Sequence, residues 1–310
     1  MIVRVSAIAF NTYREAVRAR LLLGVFALGL ATCGYSLIVG TLSLHNERRV
    51  IADVGAASFS FYGVLVAIVL GSTSLYRELE HKTVFPILSR PIRRWEYLLG
   101  KYLGTVLTVA VFLAVQASTL FALLALEAGQ PPWKVGALTA AMLGMLAALL
   151  VRARLTRVFV VIPWALVLVV ASWILAAPAL EERRLVTAAA ALAVCEVSIV
   201  TAIAMLFSSF SSPFLTATFT AMIFVIGRSA DTMAHLPKKQ FGAGASVVGR
   251  VLARVFPNLH TYVPARALLL GQAAEEPVWR YVATAGLQAI SYATALLVVA
   301  ALAFRKRDFS

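Results

Sequence analysis

The residues best equipped for chemistry are few and dispersed. Four histidines, His45, His81, His235 and His260, are scattered over loop positions, without the paired histidines and glutamate on one helix that an intramembrane zinc protease needs. Cys33 and Cys195 each lie inside an apolar run, which supports neither a disulfide framework nor a thiolate metal site. Gly227-Arg228-Ser229-Ala230 has the outline of a Gly-x-Ser nucleophile, but such a serine needs a base on another span, and no histidine falls in one. A phosphate-cradling loop reads Gly-x-x-x-x-Gly-Lys followed by Ser or Thr. Here Gly100-Lys101 is followed by Tyr102, and Trp95 stands where the first glycine belongs. No nucleotide-hydrolysing pattern and no metal set is present, so the chain is expected not to be an enzyme and to hold no cofactor itself.

Polar residues inside apolar stretches are the second place to look, because such residues in a bilayer are costly and tend to mark function. Glu196 is the one acid deep within such a stretch. Two readings are open for it: a contact to substrate or proton, or a carboxyl satisfied by a serine or backbone group of a neighbouring helix. Arg228 and Asp231 stand three apart and are expected to form a structural ion pair. Gln116 and Gln288 are read as bridges between helices, and Trp133, Trp164, Trp173 and Trp279 as interface anchors.

The elements that hold these residues are membrane helices. Apolar residues make up 61% of the 310 and charged residues 14%, with a mean hydropathy of +0.87, where a soluble chain carries about a quarter charged residues. The net charge of +14 does not form one patch. Its basic residues flank apolar runs, which fits positive-inside anchoring and not nucleic acid. Residues 1–20 are amphipathic: Arg4, Asn11, Glu15 and Arg18 share one helical face, with Ile2, Ala9, Tyr13 and Ala16 opposite. This suits an elbow helix lying in the interface and not a cleaved leader. Spans are expected over Leu21 to Leu44, Val54 to Tyr76 and Tyr102 to Leu126, with a polar turn from His45 to Asp53. Further spans are expected over Val135 to Val151, Val158 to Leu180, Leu185 to Phe207, Phe214 to Met233 and Tyr281 to Phe304. Glu181-Glu182-Arg183-Arg184 reads as an outer turn, and Ser208 to Pro213 as the break between two spans. The expected fold is an all-α integral membrane protein with an elbow helix and about eight spans, forming one domain over residues 1–310 with an outer-face region at 234–280.

The densest charge lies between the second and third spans, in residues 77–97. A short helix is expected from Glu78 to Leu88, interrupted by Pro86 and stopped by Pro91, with a second helix rising from Arg93 into the membrane. From Arg77 to Gly104 the order is Arg-Glu-x-Glu-x-Lys-Thr-Val-x-x-Ile-Leu-Ser-Arg-Pro-Ile-x-Arg-x-x-Tyr-Leu-Leu-Gly-Lys-Tyr-Leu-Gly. This run resembles the coupling region of the ABC-2 type (type-2 exporter) permeases, the membrane-spanning subunits of ABC transporters. Ala9 to Arg18, Phe207 to Pro213, Pro257-Asn258-Leu259 with Tyr262, and Leu268 to Gly271 are similar to other segments of that family.

The resemblance implies a six-span core into which a helical hairpin, residues 134–180, is inserted. It implies that Arg77, Glu78, Glu80, Lys82, Thr83, Leu88, Ser89, Arg90 and Pro91 dock a separate P-loop ABC ATPase subunit, which binds ATP and Mg. It also implies a second permease copy as partner, as homodimer or heterodimer, and a bacterial cytoplasmic membrane location with both termini inside. The implied function is coupling of ATP hydrolysis to substrate export. The alternative is a non-transporting scaffold that transmits ATPase-driven force to an outer-face complex.

Overall fold

The structure is a computed structural model that describes residues 2–43, 46–80, 93–153, 156–235, 247–253, 256–264, 266–269 and 277–305. The elbow is α1 (Ile2–Val17), followed by α2 (Arg20–Thr41), α3 (Glu47–Glu80) and α4 (Arg94–Glu127). Next come α5 (Pro132–Arg152), α6 (Arg157–Leu175), α7 (Leu180–Ser208) and α8 (Pro213–Arg228). Short pieces follow: α9 (Ala230–Ala234), α10 (247–253), a 3-10 turn at Leu259–Tyr262 and α11 (Arg266–Leu269). The last helix is α12 (Val278–Arg305). Among the described residues seven helices are long and apolar enough to cross a bilayer, and α8 is a shorter apolar helix. The chain is an all-α integral membrane protein.

The long helices α3, α4 and α7 form the centre, with more than half of each spanning window buried, against 6% for α5. Small residues allow the close crossings. A Cβ on Gly71 of α3 would lie 2.6 Å from Cβ of Ala204 on α7, and one on Gly63 would lie 3.0 Å from Val197. Without a hydrophobic drive between helices in lipid, such backbone approach supplies the packing contacts that hold a bundle together. We call the end of the bundle carrying α1 the elbow end, and the opposite end the far end.

Several helix limits depart from the sequence expectation. The polar stretch expected as a turn is helical from Glu47, because Arg49 and Asp53 pair four residues apart on a helix surface, at 4.0 Å. Likewise Glu181 and Glu182 form the first turn of α7 and not a loop, where their charge complements the helix dipole. At the other limit of α3, Arg77, Glu78 and Glu80 continue the same helix that crosses the core, so the expected separate helix does not begin at Glu78. The break between α7 and α8 falls at Ser209–Ser212, as expected, with Pro213 at the first helical position. The far end of α4 closes with a Schellman motif: Gly129 takes φ +86°, and the amides of Gly129 and Gln130 donate to Leu126 and Ala125 at 3.0 Å each.

Among the described residues three arginines cap helix C-termini. Arg48 donates to the Glu127 carbonyl at the end of α4 (3.0 Å), Arg183 to Trp173 near the end of α6 (3.2 Å), and Arg94 to Phe304 at the end of α12 (3.1 Å). Each supplies a donor and a positive charge to carbonyls that the helix leaves unpaired.

Candidate functional site

The centre of the molecule contains one buried ionic cluster among the described residues. Glu196 lies midway along α7 with no solvent exposure. Its Oε1 accepts from Arg228 Nη1 at 2.5 Å, and its Oε2 accepts from the Ser60 hydroxyl of α3. Arg228 Nη1 also donates to Ser60 Oγ at 3.2 Å, which closes a three-residue ring across α3, α7 and α8. The carboxylate therefore has a counter-charge and a hydroxyl donor, which is what a charge removed from water requires.

Helix geometry explains the position of Arg228. The 16 residues of α8 rise only about 24 Å, short of the roughly 30 Å hydrocarbon core. Glu196 is twelve residues, about 18 Å, from the end of α7 at Ser208. Both charges thus stand well inside the apolar layer, entered from the same end. The helical path breaks at Ser229 before resuming as α9. That break separates Arg228 from Asp231, so the expected pair does not form. Asp231 is exposed instead, with its carboxylate 3.7 Å from His235 Nδ1. Of the three polar residues singled out in the sequence, Glu196 and Arg228 meet and Asp231 stands apart. The serine of a neighbouring helix that one reading of Glu196 called for is Ser60; the sequence left its number open.

A cavity of about 150 Å³ reaches Ser60 from the far end, between Asp53 at its rim and the small side chains of Ala56, Ala57, Ala189 and Ala193. Tyr262 and Pro264 form its outer wall. This wall belongs to the segment that seals α8. A Cβ on Gly227 would meet the Pro257 carbonyl at 2.6 Å, Asn258 accepts from the His260 amide at 3.1 Å, and Leu259 is fully buried. Tyr262 and Tyr281 donate to the carbonyls of Ala285 and Thr261 at 3.4 and 2.5 Å, fastening the turn to α12. Burial holds the Tyr262 phenol above its ordinary pKa.

Other polar expectations resolve differently. Gln116 does bridge helices, donating to Ser58 Oγ at 2.7 Å. Gln288 is exposed on the outer face of α12. Trp133 and Trp279 are exposed at the far end, as interface anchors would be, but Trp164 is buried and donates to the Met142 carbonyl at 2.9 Å, locking α6 to α5. Trp173 donates to Thr187 Oγ1 at 3.2 Å and carries the Arg183 guanidinium 3.9 Å above its ring, a cation–π contact.

At the elbow end, α1 is packed onto α4 through the second half of the charged run. Added Cβ atoms on Gly100 and Gly104 would lie 2.6 Å from Ile8 Cβ and 2.4 Å from the Ala9 carbonyl. Lys101, only 1% exposed, reaches Glu15 at 3.4 Å, and Asn11 donates to the other Glu15 oxygen at 2.6 Å. Ala9, Tyr13 and Ala16 face this contact, while Ile2 is 79% exposed and does not share it. Burial pushes the Tyr13 phenol up to about 12. Lys82, Thr83, Leu88, Ser89, Arg90 and Pro91 lie outside the described residues, and of Arg77, Glu78 and Glu80 the helical backbone alone is described.

A comparison with curated proteins gives no match. Residues 6–309 match the family described as ABC-2 family transporter protein, from the elbow to the end of the last helix. An amphipathic elbow, a run of apolar helices and a match over nearly the whole length thus converge: the chain belongs to the ABC-2 family of transporter membrane proteins.

Proposed function

We propose that the chain is the permease subunit of an ABC exporter, driven by a separate nucleotide-binding subunit that holds ATP and Mg. The reading includes a second permease copy, residence in a bacterial cytoplasmic membrane, and the elbow end on the cytoplasmic side. Of 28 Lys and Arg, sixteen fall on that side by the parity of the eight spans expected from the sequence.

The observation that carries the reading is the placement of the charged run within the family match. It joins α3 to α4, each 34 residues or about 51 Å long, and both cross the whole core. A push on the run, at Glu78, Glu80, Lys82, Thr83 or the Leu88 to Pro91 segment, is delivered along α3 toward Ser60 and along α4 toward the elbow contact. Ser60 holds Glu196, and Glu196 holds Arg228, so α7 and α8 feel the same displacement. For this to transmit work, the ATPase must bind two permease conformations with different affinity.

Reversing charge in the double variant Glu78→Lys with Glu80→Lys, or in Arg90→Glu, tests the docking role. In proteoliposomes with the partner, ATP hydrolysis should continue and lose its dependence on transport, with insertion unchanged. Wild-type coupling in these variants would contradict the assignment. The scaffold reading gains from one observation: Glu196 and Arg228 satisfy each other, leaving a cluster with no free charge for a polar solute. Vesicles that show ATP-dependent movement of a solute would dismiss it.

A further inference from the structure

Between α5–α6 and the core runs an apolar crevice of about 590 Å³. It follows α4 from Thr108 to Leu126, about 27 Å, nearly the full depth of a roughly 30 Å hydrocarbon core. Its hydroxyl-bearing walls have spent their donors. Thr108, Ser118, Thr119, Thr139 and Ser172 each donate to a carbonyl of their own helix. A channel so lined suits a polar solute poorly, since only scattered hydroxyl oxygens remain to replace its lost hydration. Left empty, it forfeits the dispersion contacts of its walls.

One polar group in the lining differs. Tyr13, at the elbow end of the crevice, is fully buried, and its hydroxyl has no hydrogen-bond partner among the described residues. The same end carries a group of arginines. Arg18 and Arg20 flank the α1–α2 junction, between the lining residues Val17 and Leu22; Arg152 ends α5 and Arg157 starts α6. All four are exposed, and none is paired with a carboxylate among the described residues. An apolar slot, one buried donor in its lining and exposed arginines at the helix ends beside it form a sequence of chemistry that matches acyl chain, ester carbonyl and phosphate.

We propose that this crevice seats one acyl chain of an anionic phospholipid from the leaflet in which the elbow lies. The phosphate rests among Arg18, Arg20, Arg152 and Arg157, and an ester carbonyl accepts from Tyr13 Oη. The lipid fills the gap that the hairpin leaves against α2 and α4. The hairpin is tied to the body by α6 packed along α4 and by Phe159, which meets Phe10 edge-on and stacks on Tyr13 with ring centroids 5.5 and 6.3 Å apart.

The test uses the full chain, with any subunit that accompanies it, in nanodiscs of equal phosphatidylglycerol and phosphatidylethanolamine. After transfer to a delipidating detergent, native mass spectrometry should find one phosphatidylglycerol retained per chain. Replacing Arg18, Arg20, Arg152 and Arg157 together by Gln should lower the preference for phosphatidylglycerol at least tenfold. Leu146→Trp, which fills the crevice, should abolish retention, and Tyr13→Phe should weaken it several-fold. Size-exclusion profile and melting temperature establish that each variant is folded, and the arginine variant alone decides the case if the Trp variant is not. Three results would overturn the proposal: no retained lipid, retention with a headgroup preference that the arginine variant leaves unchanged, or a disulfide between two Leu143→Cys chains showing that a second copy occupies the crevice.

Discussion

Glu196 and Arg228 stand at a depth where either charge alone is expensive, and each removes most of the cost of the other. Arg228→Gln leaves the carboxylate buried with only Ser60, and should destabilise the folded protein by about 3 kcal/mol, the low end for a broken buried pair because Arg228 is 31% exposed. Adding Glu196→Gln to that variant should recover much of the loss; thermal unfolding of the two single variants and the double variant in one detergent checks this. Tyr13 gives a pH dependence of defined sign. Its folded-state pKa is raised from 10.0 to about 12 by burial, so its contribution is intact below pH 10 and is lost as pH rises toward 12. The melting temperature of wild type should fall more steeply than that of Tyr13→Phe across that window. Glu196 was legible in the sequence as the lone intramembrane acid, and Arg228 as a charge near a span's end. Their pairing was not, because adjacency in sequence favoured Asp231, and the break at Ser229 is a backbone event with no residue signature as plain as proline.

At the scale of elements, glycines and arginines decide how helices meet. Gly104→Ala places a Cβ against the Ala9 backbone carbonyl, which cannot rotate away, and should cost about 1–3 kcal/mol by overpacking. Gly34→Ala, on α2 with nothing within 4 Å, should be neutral or better in the same melting assay. The three arginines at helix C-termini carry a second consequence. Arg94→Ala should lower stability by about 0.3–1 kcal/mol and raise amide hydrogen exchange in the last turn of α12, without altering insertion. Seven of the eight expected spans were legible from apolar run length, and the Ser208–Pro213 break from its serines and proline; the expected span from Phe214 to Met233 breaks at Ser229 and leaves the 16-residue α8, shorter than the seven. Helix starts were less so. Glu47 to Asp53 and Glu181 to Arg184 look like loops by polarity, yet charges at i and i+4 or beside a helix N-terminus are also what a helix tolerates in its exposed first turns.

Taken as a molecule, the chain is a helical core of α3, α4 and α7, closed at the far end by the Pro257–Tyr262 segment and held at the elbow end by α1. Arg77 to Gly104 divides by structure into two parts. Gly100, Lys101 and Gly104 secure the elbow, while the part before Arg93 is, in our reading, the surface offered to the ATPase. Composition and periodicity were enough to place the chain in a bilayer, and the charged run was enough to suggest its family. The crevice and the Tyr13 donor were not legible, since both depend on how α5 and α6 stand off from α4, which apolar sequences leave open. The central claim is that this membrane subunit works with a separate ATPase. The most direct test is to purify the tagged chain from its own membranes in mild detergent and identify what accompanies it. Stoichiometric recovery of a P-loop subunit, with vanadate-sensitive ATP hydrolysis by the complex, is the predicted result. Recovery of the chain without any ATPase, even with nucleotide and cross-linker present, would contradict it.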